Sequence, residues 1–489
     1  MSSPSTDNGP RANRPRPAKS ALDIKIDQHF SSKAYTSGSA IAGHVIINAQ
    51  RDVAFDDFEV LFTGTAYTRV DFVNQYASAT YASRPFMKLR MPLGASDLPS
   101  SRVFQAGCTY TIPFHFVVPH QLTLSACNHA VENEAVRDHH LQLPPTMGFW
   151  EHNDQSPDMA HIEYGVRALA TKDTAEEGRT MPVEGFHMVK VLPSLPEDAP
   201  LDICSKDERY NLSKTKTIRK SLFSIKQGKL TTTASQPSAI MLSANFLNAS
   251  QTNLKVNFEF AAGSEDVTPP KVNSVNAKLH STTFFSSAPM SHLPNLGARI
   301  KSQSSPSLTY STTTPIPVHP DTHIVWENEA PPSRRDSGYS SGAWHDEEGS
   351  ESDASQGRRH KESSKNTVRR HATLDIPFSL PKTGNKVFLP TFYSCISART
   401  YIVYLTLSIG PMNTNINLAV PVQVAVENTY DPASDDELPS FDAAIAQAEG
   451  SDADQFLLPR LMQVPSERYQ GNSVLPIYED RRRRQVAAA

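Results

Sequence analysis

Ile416-Asn-Leu-Ala-Val-Pro-Val-Gln-Val-Ala-Val426 decides how this chain folds. Every second residue from Ile416 to Val426 is Ile, Leu or Val. A repeat of two throws successive side chains to opposite faces, so the segment predicts a strand with one buried face; a helix would need a repeat near 3.6. Tyr110-Thr-Ile-Pro-Phe-His-Phe-Val-Val118, in the other half, alternates in the same way through Tyr110, Ile112, Phe114, Phe116 and Val118. Neither stretch carries an obvious reactive group. Together they predict two β-sandwich modules that present surfaces, so the function is sought in binding.

Working outward, further strands are expected at Leu22–Ile26, Ala42–Ile47, Phe58–Thr65, Ile162–Ala170 and Phe186–Val191. Between them lie turn-rich segments, including the long link Pro119–Asp158. A second set is expected at Ala239–Leu247, Leu254–Phe260, Val272–Phe285, Leu374–Leu380 and Tyr401–Ile409. Many short strands with such punctuation suggest sandwiches. The two sets are separated by Leu192-Pro-Ser-Leu-Pro-Glu-Asp-Ala-Pro200, whose three prolines stiffen the chain and discourage strand pairing. The resulting organisation is a basic disordered tail over 1–20, one domain over 21–193, another over 194–427, and a disordered tail over 428–489. Residues 286–370 are rich in Ser, Pro, Arg and Glu and are expected to form a disordered insertion within the second domain.

Composition narrows the function. The 489 residues suffice for two or three domains, while 38% hydrophobic residues and 37 prolines predict that part of the chain is unfolded. The net charge of -4 gives no argument for nucleic acid. Four scattered cysteines (Cys108, Cys127, Cys204, Cys395) make no disulfide framework and predict reduced thiols in the cytosol. The N-terminus has no apolar core and reads as no signal peptide. No apolar run approaches the roughly 20 residues a membrane helix needs. A soluble protein with only peripheral membrane contact is expected.

The residues also resemble a family. Tyr35-Thr-Ser-Gly-Ser-Ala-Ile-Ala-Gly-His-Val, Val60-Leu-Phe-Thr-Gly-Thr-Ala, Tyr110–Pro119, Leu143-Pro-Pro and Ile162-Glu-Tyr-Gly-Val-Arg-Ala resemble the arrestin N-domain. Gly228-Lys-Leu-Thr-Thr-Thr-Ala-Ser-Gln-Pro, Thr283-Phe-Phe and Tyr401–Val426 resemble an arrestin C-domain. The order of these elements across the two halves is more specific than any one of them. The chain looks most like the fungal arrestin-related (α-arrestin) trafficking adaptors. The resemblance implies an all-β chain of two arrestin-type, Ig-like β-sandwich domains in tandem. It also implies a non-enzymatic adaptor that recruits a HECT-type ubiquitin ligase, through the ligase's WW domains, to plasma-membrane transporters or receptors for endocytosis. Such a protein works in the cytoplasm, peripherally at the plasma membrane or endosomes. The alternative is an arrestin-fold scaffold for ambient-pH or receptor signalling, with no obligatory ligase.

The ligase contact is expected at Leu475, Pro476, Ile477 and Tyr478, where Leu475 stands in place of the family's first proline. A WW groove takes an extended Pro-containing segment, with Pro476 in the aromatic slot and Tyr478 in the second pocket. Leu438, Pro439, Ser440 and Phe441 form a similar word without the tyrosine hydroxyl, serving avidity or else opening a short helix capped by Ser440.

Lys206 to Lys229 is dense in cations, with Ile218, Leu222 and Ile225 at helical spacing. It reads as a basic helix that lies on an anionic membrane or on a sandwich. By likeness to the family, Lys216, Lys220 and Lys226 are candidate ubiquitin acceptors. Ser337 and Ser341, within Asp336-Ser-Gly-Tyr-Ser-Ser341, fit a phosphodegron read by an F-box ligase. Ser221 and Thr373 follow basic residues as kinase sites do, and phosphate would add about 1.5 to 2 negative charges to each.

Gly338-Tyr-Ser-Ser-Gly342 spells a hydrolase elbow around Ser340, but its flanks offer neither the strand nor the helix that strains such a serine outward. Cys127 and His129 sit two apart with His139 and His140 nearby, yet no local spacing completes a tetrahedral set, so these read as loop histidines. No cofactor, metal, nucleic acid or catalytic residue is expected.

Overall fold

The computed structural model describes residues 21–71, 79–94, 96–174, 178–204, 207–221, 224–244, 248–296, 307–318, 320, 322–328, 368–381 and 386–428. The described chain is almost entirely β. The first half contains β1 (Leu22–Ile26), β2 (Ala34–Tyr35), β3 (Ala40–Asn48), β4 (Val53–Ala54) and β5 (Asp57–Val70). It continues through β6 (Thr80–Arg90), β7 (Val103–Phe104), β8 (Thr109–Val117), helix α1 (Glu134–Leu141), β9 (Ala160–Thr174) and β10 (Gly178–Val191). The second half contains β11 (Ser213–Arg219), β12 (Lys226–Ala234), β13 (Ile240–Leu242), β14 (Thr252–Ala262) and β15 (Val272–Phe285). Then come β16 (Leu308–Ile316), β17 (Glu327–Asn328), β18 (Arg369–Phe378), β19 (Phe392–Tyr393), β20 (Ser397–Ile409), β21 (Thr414–Val422) and β22 (Val424–Val426).

In the first half, a three-stranded sheet β1-β3-β8 faces a five-stranded sheet β2-β10-β9-β5-β6. Ile41, Val45 and Ile47 of β3 and Ile112, Phe114 and Phe116 of β8 meet Phe58, Val60 and Phe62 of β5 and Val166 of β9 in one core. The alternation in Tyr110–Val118 is thus realised as a buried face. In the second half, β11-β12-β14-β18-β17 faces a sheet in which β20 pairs with β15, β19 and β21, and β16 flanks β15. Its core joins Leu254, Val256, Phe258 and Phe260 to Tyr401, Val403, Leu405 and Leu407. Ile416, Leu418, Val420, Val422, Val424 and Val426 are all buried there, as the opening stretch predicts. A register slip of one residue in any of these strands would turn its whole apolar set to water.

The two cores lie within one compact unit, because the second half reaches into the first. Phe285, Leu389, Phe392 and Ile396 belong to the first core. The prolyl connection is likewise tied down: Val426 N donates to Leu195 O at 3.0 Å, and Gln423 Nε2 to Pro196 O at 3.1 Å.

Three expectations need correction. Lys206–Lys229 is no helix: its described part forms the antiparallel hairpin β11–β12, with only Ile218 of β11 buried and Ile225 90% exposed. A 3.6 spacing of three apolar residues is weaker than the cross-strand ladder, in which Ser213 and Thr215 Oγ meet Thr233 and Thr231 Oγ1 at 3.0 and 2.9 Å. The span 286–370 is not structureless throughout, since β16 pairs with β15 along nine residues and β17 pairs with β18. The link Pro119–Asp158 holds α1, whose Asn133 side chain caps the helix by accepting from Val136 N at 3.1 Å. Residues 1–20 and 429–489 lie outside the described residues.

Candidate functional site

The outer face of the five-stranded sheet in the first half carries a groove of about 500 Å³. Pleating explains its lining. Phe58, Val60, Phe62 and Ala66 of β5 point into the core, so Glu59, Leu61, Thr63, Thr65 and Tyr67 point out and floor the groove. From β6, Pro85, Met87 and Lys88 form one wall. From β9 and β10, Glu163, Arg167, Arg179, Met181 and Phe186 form the other.

Phe186 lies across the sheet because Gly165 beneath it has no side chain; a Cβ there would collide with the Phe186 ring. Arg167 stacks its guanidinium 5.6 Å from the ring centre and pairs with Glu184 at 3.0 Å. Met181 and Phe186 remain 57% and 40% exposed. Glu59 is nearly buried and faces Arg90 at 3.3 Å and Lys88 at 3.9 Å. Burial raises the Glu163 carboxyl above the usual carboxylate range, against the pull of Arg167. A mixed apolar and charged groove on a rigid sheet suits an extended peptide, whose side chains would alternate between groove and solvent.

A smaller cavity of about 90 Å³ lies between Asp198, Tyr210, Tyr393 and Gln423.

The junction of the two halves is polar and fully buried. Arg399 of β20 has no exposed surface. Its Nε donates to Thr283 Oγ1 at 2.9 Å, one Nη to Asp154 O at 3.1 Å, and the other to Gln155 O at 3.2 Å and Ser156 Oγ at 3.0 Å. The Asp154 carboxylate is itself held by the backbone N–H groups of Gly148 and Ser156, at 2.6 and 3.1 Å. The buried guanidinium is thus hydrogen-bonded by two main-chain carbonyls and two hydroxyls, as a buried charge requires. Beside this network, Cys127, His129, His140 and Cys395 gather their ligand atoms within 4.8 Å of one another. Sequence spacing could not find this group, because Cys395 comes from the other half of the chain.

The sites expected from the sequence disperse. Leu475–Tyr478, Leu438–Phe441, Ser337, Ser341 and Ser340 lie outside the described residues. Ser221 is exposed beyond β11, its N–H donating to Ser224 Oγ at 2.8 Å. Thr373 is exposed on β18 and donates to Asn257 Oδ1 at 3.2 Å. Lys216, Lys220 and Lys226 are exposed on and beside the β11–β12 hairpin. The sequence alone does not mark the groove side chains as a site, since each by itself is an ordinary surface residue. Among the described residues no helix is long and apolar enough to cross a membrane. Neither any family model nor any curated protein matches this chain.

Proposed function

We propose that the chain is an adaptor of the arrestin-related kind, built on two tandem arrestin-type sandwiches. Its sheet body holds the cytosolic segment of a plasma-membrane transporter or receptor. Its C-terminal word Leu475-Pro476-Ile477-Tyr478 holds the WW domains of a HECT-type ubiquitin ligase. The observation that supports the body's role is the groove over β5, β6, β9 and β10, with Phe186 and Met181 offered to solvent between Arg167, Arg179 and Lys88. Exposed apolar side chains rimmed by charge are the chemistry of a peptide-binding surface.

Tethering both partners to one chain raises the ligase concentration at the cargo without any new contact between them. Lys216, Lys220 and Lys226, which are exposed, are the proposed acceptors of regulatory ubiquitin. Affinity capture with the full chain tests the division of labour. Pro476→Ala/Tyr478→Ala should lose the ligase and keep membrane proteins, while Met181→Asp/Phe186→Asp should do the reverse. Ligase capture unchanged by the first variant would overturn the tail assignment and favour a ligase-independent signalling scaffold.

A further inference from the structure

Cys127 Sγ lies 3.7 Å from Nδ1 of His129 and 3.5 Å from Nδ1 of His140. A tetrahedral zinc with Zn–S of about 2.3 Å and Zn–N of about 2.0–2.1 Å requires sulfur–nitrogen edges of about 3.6 Å. Cys395 Sγ completes the group, and all four ligand atoms fall within 4.8 Å of one another. Cys127, His140 and Cys395 are 0%, 2% and 6% exposed, with His129 partly buried.

We propose that these four side chains form a structural Cys2His2 zinc site that pins the second half of the chain to the first. The assignment rests on geometry that is independent of the groove and of the ligase motif.

The surroundings are arranged as ligand support. His129 Nε2 sits 3.1 Å from Met290 O. Only a protonated nitrogen can donate to a carbonyl, so Nδ1 is left as the free lone pair facing the cluster. Arg137 donates to Cys127 O at 2.7 Å and fixes the main chain at that ligand. The capped helix α1 delivers His140 from its last turn. Cys395 rides the tight turn between β19 and β20, closed by Ser394 Oγ donating to Ser397 O at 2.8 Å. Met290 N donates to Cys395 O at 2.7 Å, so one residue steadies two of the ligands. Arg84 lies against Cys395, and its Nε is buried with no hydrogen-bond partner.

Chemistry selects the ion. Two thiolates and two neutral imidazoles are the donor set of structural zinc sites. A divalent ion with two thiolates is neutral overall, which suits a buried site. Binding breaks two S–H bonds, forms two Zn–S and two Zn–N bonds, and releases two protons to solvent with no oxidation or reduction. Three ligands come from the first half and one from the second, so the ion cross-links segments that are remote in sequence.

The test is elemental analysis of the full chain purified without chelator, with cobalt(II) exchanged for zinc. The expected result is one zinc per chain and visible ligand-field and thiolate charge-transfer bands typical of tetrahedral cobalt. Cys395→Ser and His140→Ala should each lose the metal, while Cys108→Ser and Cys204→Ser, at exposed positions, should keep it. Wild-type protein with well under one metal per chain and no thiolate bands would overturn the proposal. So would metal retained in Cys395→Ser, or peptide mapping that finds a Cys127–Cys395 disulfide. Because the cobalt spectrum is read on wild-type protein, a variant that fails to fold does not decide the outcome.

Discussion

Arg399 shows how a single residue can tie two halves of a chain together. Its four hydrogen bonds run from β20 to Thr283 on β15 and to the loop at Asp154–Ser156 in the first half. Each acceptor left buried and unpaired costs about 1–3 kcal/mol. Arg399→Leu is therefore expected to lower the unfolding free energy by about 3 kcal/mol or more, read from urea denaturation. Arg399→Lys should not restore it, since one ammonium cannot span the same acceptors. His161 gives the pH counterpart. Its ring stacks on Tyr67 at 4.7 Å and meets Phe149 edge-on at 5.3 Å, and burial lowers its pKa below the ordinary 6.5. The unfolded chain then takes up the proton more readily than the folded one. The contribution is whole above the ordinary histidine range and is lost as pH falls below it. His161→Phe should flatten the loss of stability between about pH 7 and 5, measured by thermal melts across that range.

At the scale of elements, the strands that sequence reveals are those that bury a full face. β14 alternates Leu254, Val256, Phe258 and Phe260 into the core and is bordered by β12 and β18. Phe258→Ala should cost about 3–5 kcal/mol by the same denaturation measurement, the range for deleting a buried ring. Several of the strands that sequence conceals are edges. β16 buries only Thr314 and Ile316 of its nine residues, and β11 only Ile218 of its seven. β6, at the edge of the first half's sheet, buries only Met87. Without a buried face there is no period to read, and three apolar residues in Lys206–Lys229 then imitate a helix. Edge strands also need protection from one another, and lysines supply it at β11. Lys214→Val/Lys216→Val should raise self-association, seen as dimer or higher species in sedimentation velocity. The groove was hidden for a related reason: its floor residues alternate with core residues on β5 and become a site only when β6, β9 and β10 are laid beside it. The Cys395 contribution to the metal-ligand cluster was hidden by separation along the chain.

At the scale of the whole molecule, two cores are welded by the Arg399 network, by Phe285, Phe392 and Ile396, and by the cluster at Cys127 and Cys395. If zinc closes that weld, chelation of the full chain should speed proteolytic cleavage at Leu192–Pro200, measured as the rate of half-length fragment formation. The rate should return to its starting value when zinc is restored. On the proposed function, the sheet body would hold cargo and the tail a ligase. The most direct measurement is the surface proteome of cells that lack the chain and are supplied with either the wild type or Pro476→Ala/Tyr478→Ala. The account predicts that wild type depletes a defined set of multi-span membrane proteins from the surface and that the double variant leaves them in place. An identical surface with and without the chain, or full depletion by the double variant, would contradict it.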